Sequence, residues 1–462
     1  MADAGLLPQR LPLVIVPGNR DTTSGKDAKL VNGYVEKVDE SSFQLYKRPG
    51  YVSTGISHGA GAAAGLYNWK GDLYGVWGTA LYKNGSVIGT VDSSNGRYQF
   101  NQTAGLNISV DRLYLSNGVH GYTWDGTTFA QIIDANYPAT TVKGSAYLDG
   151  TLYVMDTTGA IWGSSLNNPT TWSALNKIVA QIEPDLGVTI SKQLIYVVAF
   201  KQWSVEFFYD AAASSGSPLL PVPASRLNYG CASAGTLAEF DGTLIWVATN
   251  RVGGRQVISV TDMRAKPVSS KPVERLLNSA DLTGALASVY KGMGHEFYIL
   301  TMPAANLTLV YDMGEGAWAQ WTTAAGDYVP LVDTATLGAT TVGQTSTSSL
   351  TYTMSTDYPT DDGIVFPVDL VTPNFDGGTR QLKLLTSMEF SADQTPGSLL
   401  QVRVSDDDYQ TWTNFRPVNL GLKRPMLWDC GSFRRRAFHF RHQCPVPLRI
   451  QSVDLQLVPG SL

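Results

Sequence analysis

YLDGTLYVMD (residues 147–156) reads as a tight turn feeding a strand, and a close variant, FDGTLIWV, stands at residues 240–247. In both, an Asp-Gly pair supplies two residues that tolerate positive φ, as a two-residue hairpin turn requires. The apolar and aromatic residues that follow have high strand propensity and alternate with period two. The phrase has further relatives: WKGDLYGV centred on Leu73, SVDRLYLS on Leu113, LDGTLYVM on Leu152, SKQLIYVV on Leu194, FDGTLIWV on Leu244 and GMGHEFYIL on Phe297. The intervals are 40, 39, 42, 50 and 53 residues. A second turn and strand often follow at once, as in TALYKNGSVIGTV, SNGVHGYTWDGTTF and TTGAIWGSS.

Units of this length with about four short strands each are the signature of β-propeller blades. A blade cannot bury both faces alone, so it stacks on its neighbours, and closing the ring protects its sheet edges. The competing reading is a β-sandwich with accidental self-similarity. We expect an all-β chain with a six-bladed propeller, or seven blades if TLGATTVGQTSTSSLTYTM (residues 336–354) forms a degenerate blade. Those residues alternatively complete the first blade together with an N-terminal strand.

Two segments interrupt the strand pattern. KPVERLLNSADLTGAL (residues 271–286) places Pro272 at a helix start, with Val273, Leu276 and Leu277 as its apolar positions. AAASSGSPLLPVPAS (residues 211–225) reads as an exposed loop. From about residue 355 a Pro- and Asp-rich crossover leads to longer alternating strands, expected as an additional C-terminal β-sandwich-like domain. The organisation is therefore an N-terminal segment (1–60) contributing to propeller closure, a propeller (61–354) and a C-terminal β-domain (355–462).

Composition agrees. The chain has 462 residues, 45 of them glycine, and only 16% are charged, which suits many short strands and tight turns and argues against disorder. The net charge of −5 excludes a general nucleic-acid binder. Cys231, Cys430 and Cys444 cannot all pair within one chain and lack C-x-x-C spacing, so a reducing compartment is expected. Residues 1–18 carry Asp3, Pro12 and Pro17 and do not read as a secretory signal. The apolar run at residues 194–200 is too short to span a bilayer.

Motifs that would carry chemistry fail on inspection. GAGAAAG (residues 59–65) leads into a strand, whereas a phosphate-cradling loop leads into a helix. CASAG (residues 231–235) lacks the first glycine of a nucleophile elbow. Of the five histidines only His439 and His442 are close, and their spacing puts them on opposite faces of a strand; a zinc site with Cys430 and Cys444 competes with plain rim and core positions. SDDDYQTW (residues 405–412) resembles the Asp-box hairpin, with Ser405, Asp407, Thr411 and Trp412 matching and Tyr409 standing where the motif wants glycine. Such boxes are structural, and no pair of carboxylates can be singled out for glycoside cleavage. No metal, cofactor or catalytic residue is assigned.

A basic cluster, Lys423, Arg424, Arg434, Arg435, Arg436, Arg441 and Arg449, lies within one short span. Arginine favours forked contacts with carboxylates or phosphates. DNA phosphate, an acidic protein neighbour and plain solvation are its three readings. Arg434, Arg435, Arg436 and Arg441 are the candidate assembly interface.

Four segments carry a resemblance to a known family. LVNGYVEKV followed by FQLYKRPGY ends in a structural corner at Arg48, Pro49 and Gly50; IEPDLGVTISKQLIYVVAFKQWSVEFFYD ends in VEFFY at residues 205–209; PVERLLN follows; and MLWDCGSFRRRAFHFRHQCPVPLRIQSVDLQL closes the chain. In this order they resemble the packaged-DNA stabilisation, or tail hub (nozzle), proteins of short-tailed bacteriophages. The resemblance implies a structural virion protein with no catalysis. It would form a homo-oligomeric ring, expected as a hexamer, that extends the portal-adaptor channel and retains packaged DNA. Its implied partners are the portal adaptor, a tail needle or tip, and tail spikes or fibres. It would be made in the bacterial host cytoplasm and sit in the virion tail. Six copies at −5 would sum to about −30, a wall past which duplex DNA slides without sequence-specific contact. The alternative is a carbohydrate-binding or -cleaving propeller, a receptor-directed tail enzyme, with converging carboxylates, arginines and aromatics on its axis.

Overall fold

Asp149 and Gly150, the turn inside the opening phrase, both have positive φ (46° and 87°), and Leu148 pairs with Thr151 across them. The same left-handed pair recurs at Lys70–Gly71, Asp241–Gly242 and Met293–Gly294. Each of these turns joins the first and second strands of a four-stranded antiparallel unit. The computed structural model describes residues 7–11, 13, 28–38, 43–104, 111–213 and 215–459. Most of the segment read for a secretory signal lies outside the described residues.

Six units follow one another in sequence. Their innermost strands are Ala63–Trp69, Gln99–Thr103, Ala146–Leu148, Gly187–Gln193, Ala238–Phe240 and Leu286–Gly292. These are blades 1 to 6 of a β-propeller. A further four-stranded sheet, Leu331–Leu337, Thr340–Thr345, Leu350–Ser355 and then Gly50–Ser57, stands between blade 6 and blade 1. This composite blade closes the ring, and its outermost strand comes from the N-terminal segment. Residues 336–354 thus form the body of their own blade and do not complete the first one.

The blades are held by an apolar core at each junction. Leu66 and Trp77 of blade 1 meet Val332 and Val342 of the composite blade. Val76 and Leu81 meet Tyr98 and Leu115 at the next junction. The helix Lys271–Ser279 seats Val273 and Leu277, both fully buried, in the core between blades 5 and 6. Leu276 is only partly buried there.

Two of the repeat assignments shift in register. Leu194 is not the equivalent of Leu152: it occupies the turn itself, at φ 50°, and Gln193 pairs with Tyr196 across it. The strand position belongs to Val197. In blade 6 it belongs to Glu296, one residue before Phe297.

Beyond blade 6 the sheet does not stop. Its outer strand, Ala317–Gln320, pairs with Lys29–Val31, and the sheet runs on through Val368–Val371, Ala437–His442, Leu399–Ser405 and Arg416–Asn419. A second sheet, ordered Gly33–Lys37, Phe43–Lys47, Arg449–Pro459, Lys383–Ala392 and Met426–Trp428, packs on this extension. Leu45, Met388 and Val453 from one sheet share a core with Leu370, Val402 and Phe440 from the other. The C-terminal strands therefore make a sandwich together with N-terminal ones, rooted in blade 6.

Candidate functional site

Asn32 has φ 56° and is completely buried. Left-handed backbone is tolerable for asparagine when its short amide is engaged locally, and here the amide is saturated. Its Nδ2 donates to Thr322 Oγ1 (2.9 Å) and the Pro367 carbonyl (2.8 Å); its Oδ1 accepts from Thr322 N (2.7 Å) and Arg48 Nε (2.9 Å). Arg48, 2% exposed, sends its two terminal nitrogens to the two oxygens of Asp361 at 2.9 and 2.6 Å and lies 3.7 Å over the Phe366 ring. Pro49 turns the chain, and Gly50 then passes so close to the 358–360 segment that a Cβ would sit 2.2 Å from the Thr360 carbonyl oxygen. The Arg48, Pro49 and Gly50 corner thus knots the N-terminal strands, the end of blade 6 and the crossover into one buried junction.

The arginines of the candidate interface divide. Arg436 is 3% exposed and forks onto Asp406 at 2.7 Å through Nε and Nη2. Arg441 donates from Nε to Asp369 at 2.7 Å, across a strand pair. Burial works to raise the Asp369 carboxyl, but hydrogen bonds from His439 and Arg441 outweigh it and hold it below the usual range. Arg435 is half-exposed and reaches Asp408 at 3.1 Å. Arg434 is exposed and donates to the Arg380 carbonyl oxygen at 3.1 Å. Arg436 is a structural member of the sandwich, and Arg441 completes the Asp369 pair; Arg434 and Arg435 present charge outward.

The Asp-box hairpin forms in spite of its departure from the motif. Tyr409 takes the glycine's place at φ 65°, buries its ring and donates its hydroxyl to the Thr372 carbonyl at 3.0 Å. Asp407 accepts from the Thr411 hydroxyl and N–H, which with Ser405 hold its carboxyl at about 2. His439 is engaged by Asp369 and His442 by Ser398 (2.6 and 3.1 Å). Among the described residues no three His, Cys, Asp or Glu side chains are grouped as a metal site would need.

The propeller axis holds a cavity of about 510 Å³ lined by the inner strands. Arg97, just before the first strand of blade 2, crosses the end where those strands begin. Its Nη1 donates to the Ala287 carbonyl of blade 6 at 2.8 Å and its Nη2 to Asp333 of the composite blade at 2.6 Å. Burial pushes the Asp333 carboxyl up; Arg97 and the N–H groups of Leu66 and Thr334 pull against it. Leu194 and Gly242, in turns at the other end, line the cavity there. Glu239, from blade 5, is exposed toward the cavity, and partial desolvation among the inner strands raises its carboxyl above the usual range. Sequence reasoning missed Arg97, Asp333 and Glu239, because no local motif marks the ends of a contact made across a ring.

A family profile described as "Bacteriophage P22 Gp10, beta-propeller" matches residues 13–356. No curated protein matches the sequence. Among solved structures, the chain is similar to the extracellular domain of the one-component system BT4673 from B. thetaiotaomicron, at 12% identity and a TM-score of 0.44 over 66% of this chain. It spans 40% of the length of that protein. It is similar also to the computationally designed Ika8 protein (11% identity, TM-score 0.40, 66% of this chain and 99% of that one) and to a chain of the Mitotic Checkpoint Complex (11%, 0.41, 73% and 98%).

Proposed function

The chain belongs to the bacteriophage P22 Gp10 β-propeller family of phage stabilisation proteins, and on that premise we propose that it is a structural component of the virion tail, without catalytic activity. Copies of it assemble into a ring, a hexamer in our reading, that extends the channel below the portal and its adaptor, retains packaged DNA and anchors the tail tip and spikes or fibres. The observation that carries this reading is the family match across nearly the whole propeller.

The geometry supports it. Asp333 already accepts from Arg97 and two backbone N–H groups, which leaves Glu239 as the one unengaged carboxylate among the described residues that line the axis, whereas glycoside cleavage needs a pair. Arg434 and Arg435 provide an outward basic edge on a sandwich that grows directly from blade 6, and arginine is well suited to forked contacts with a neighbour's carboxylates. A rigid propeller with a second domain fused to one sheet offers broad faces for a heterologous ring.

Electron microscopy of phage particles carrying a tagged copy of this chain tests the reading. The expected result is a rotationally symmetric ring of tag density beneath the portal adaptor. Purified infectious particles that contain none of the chain would overturn it.

A further inference from the structure

We propose that the axial cavity is a binding site for a neutral, polyhydroxylated ligand, that is, a saccharide. At about 510 Å³ it falls within the size range of small-molecule sites. Its lining is polar, which disfavours an apolar guest. Asn101, Ser191, Lys192, Glu239 and Ser288 all border it, and so do Tyr67 and Phe100.

Charge narrows the class. Arg97 and Asp333 neutralise one another at one end. Lys192 and Glu239 stand on neighbouring inner strands and feel one another electrostatically, yet no ion pair joins them among the described residues. One separated cation and one separated anion leave no net attraction for a polyanion or a polycation. They do offer a strong donor and a strong acceptor side by side, and each hydroxyl of a sugar is both donor and acceptor.

One further observation points the same way. Tyr67 and Phe100 stack in parallel with centroids 5.7 Å apart and supply an apolar wall for the C–H face of a sugar ring. With Asp333 already engaged by three donors, Glu239 has no second free carboxylate opposite it among the described lining residues, so the site binds without cleaving. The proposal stands apart from ring assembly, since it rests on the interior of a single subunit.

The test is ligand-observed NMR on the purified full chain with neutral di- and trisaccharides of glucose, galactose, rhamnose and N-acetylglucosamine. At least one should bind with a Kd on the order of millimolar. Glu239→Gln should weaken that binding by about tenfold, the loss of a charge-assisted hydrogen bond. Lys192→Met should weaken it as well, with both melting temperatures unchanged. Ser191→Trp, which fills the cavity, should abolish it. If Ser191→Trp fails to fold, the Glu239 and Lys192 variants decide alone. No saturation transfer to any saccharide at about ten times the expected Kd, or binding that Glu239→Gln and Lys192→Met leave unchanged, would overturn the proposal.

Discussion

Arg97 reaches across the propeller axis to Asp333 at 2.6 Å, and the same carboxylate accepts the N–H of Leu66 in blade 1. Beside it Gln344, completely buried, accepts from Gly65 N and donates to the Val76 carbonyl, both at 2.9 Å. The ring is therefore closed twice, once by strand pairing at Gly50–Ser57 and once by polar contacts at its centre.

Asp333→Asn is expected to lower stability by about 3 kcal/mol, because it leaves the Arg97 charge largely buried without its partner. Removing both charges, as Arg97→Met with Asp333→Leu, should recover most of that loss. Urea denaturation of the two variants beside the wild type gives both figures; equal losses would mean that the pair itself, and not the stranded charge, carries the stability.

At the corner, Gly50→Ala forces a Cβ into the Thr360 carbonyl and is expected to cost about 2 kcal/mol as overpacking. Arg48→Lys should cost a similar amount, since an ammonium cannot reproduce the fork onto Asp361 or the contact with the Phe366 face. Thermal melts followed by near-UV circular dichroism report both.

Charge reversal separates the arginines. Arg434→Glu with Arg435→Glu should leave the melting temperature nearly unchanged, as exposed pairs contribute roughly 0–1 kcal/mol, while ring formation fails in particles or by analytical ultracentrifugation. Arg436→Glu should instead unfold the sandwich by placing two carboxylates together at Asp406. Normal infectious particles from the Arg434 and Arg435 variant would remove these residues from the interface.

Acid stability depends on His442. Burial first, and the nearby Lys47 charge second, lower its pKa from 6.5 to about 4. The folded ring is neutral where the unfolded one is already protonated, so stability is lost as pH falls from about 6.5 to about 4. His442→Gln should flatten that loss, which is on the order of 3 kcal/mol. Chemical denaturation at pH 7 and pH 4.5 measures the difference.

Local chemistry was legible where turn and strand are specified by adjacent residues. The Asp-Gly and Lys-Gly pairs marked hairpins, and Pro272 marked the α-helix between blades 5 and 6. Leu194 misled because a leucine at φ 50° offers no turn signal; only the pairing of Gln193 with Tyr196 reveals it. Tyr409 shows the converse: burial of its ring and a bond to Thr372 hold a left-handed turn that its residue type disfavours.

The sequence by itself determined that the chain is all-β, since period-two alternation and repeated left-handed turn pairs specify strands and hairpins, and the recurrence of those pairs favoured stacked four-stranded blades over a sandwich. The tertiary structure alone decided which strands close the ring, that Asn32, Arg48 and Asp361 meet, and which arginines remain outward. Those outcomes depend on partners hundreds of residues apart, such as Arg48 with Asp361. A period-two pattern says which face of a strand is apolar, but not which distant strand or carboxylate it will meet.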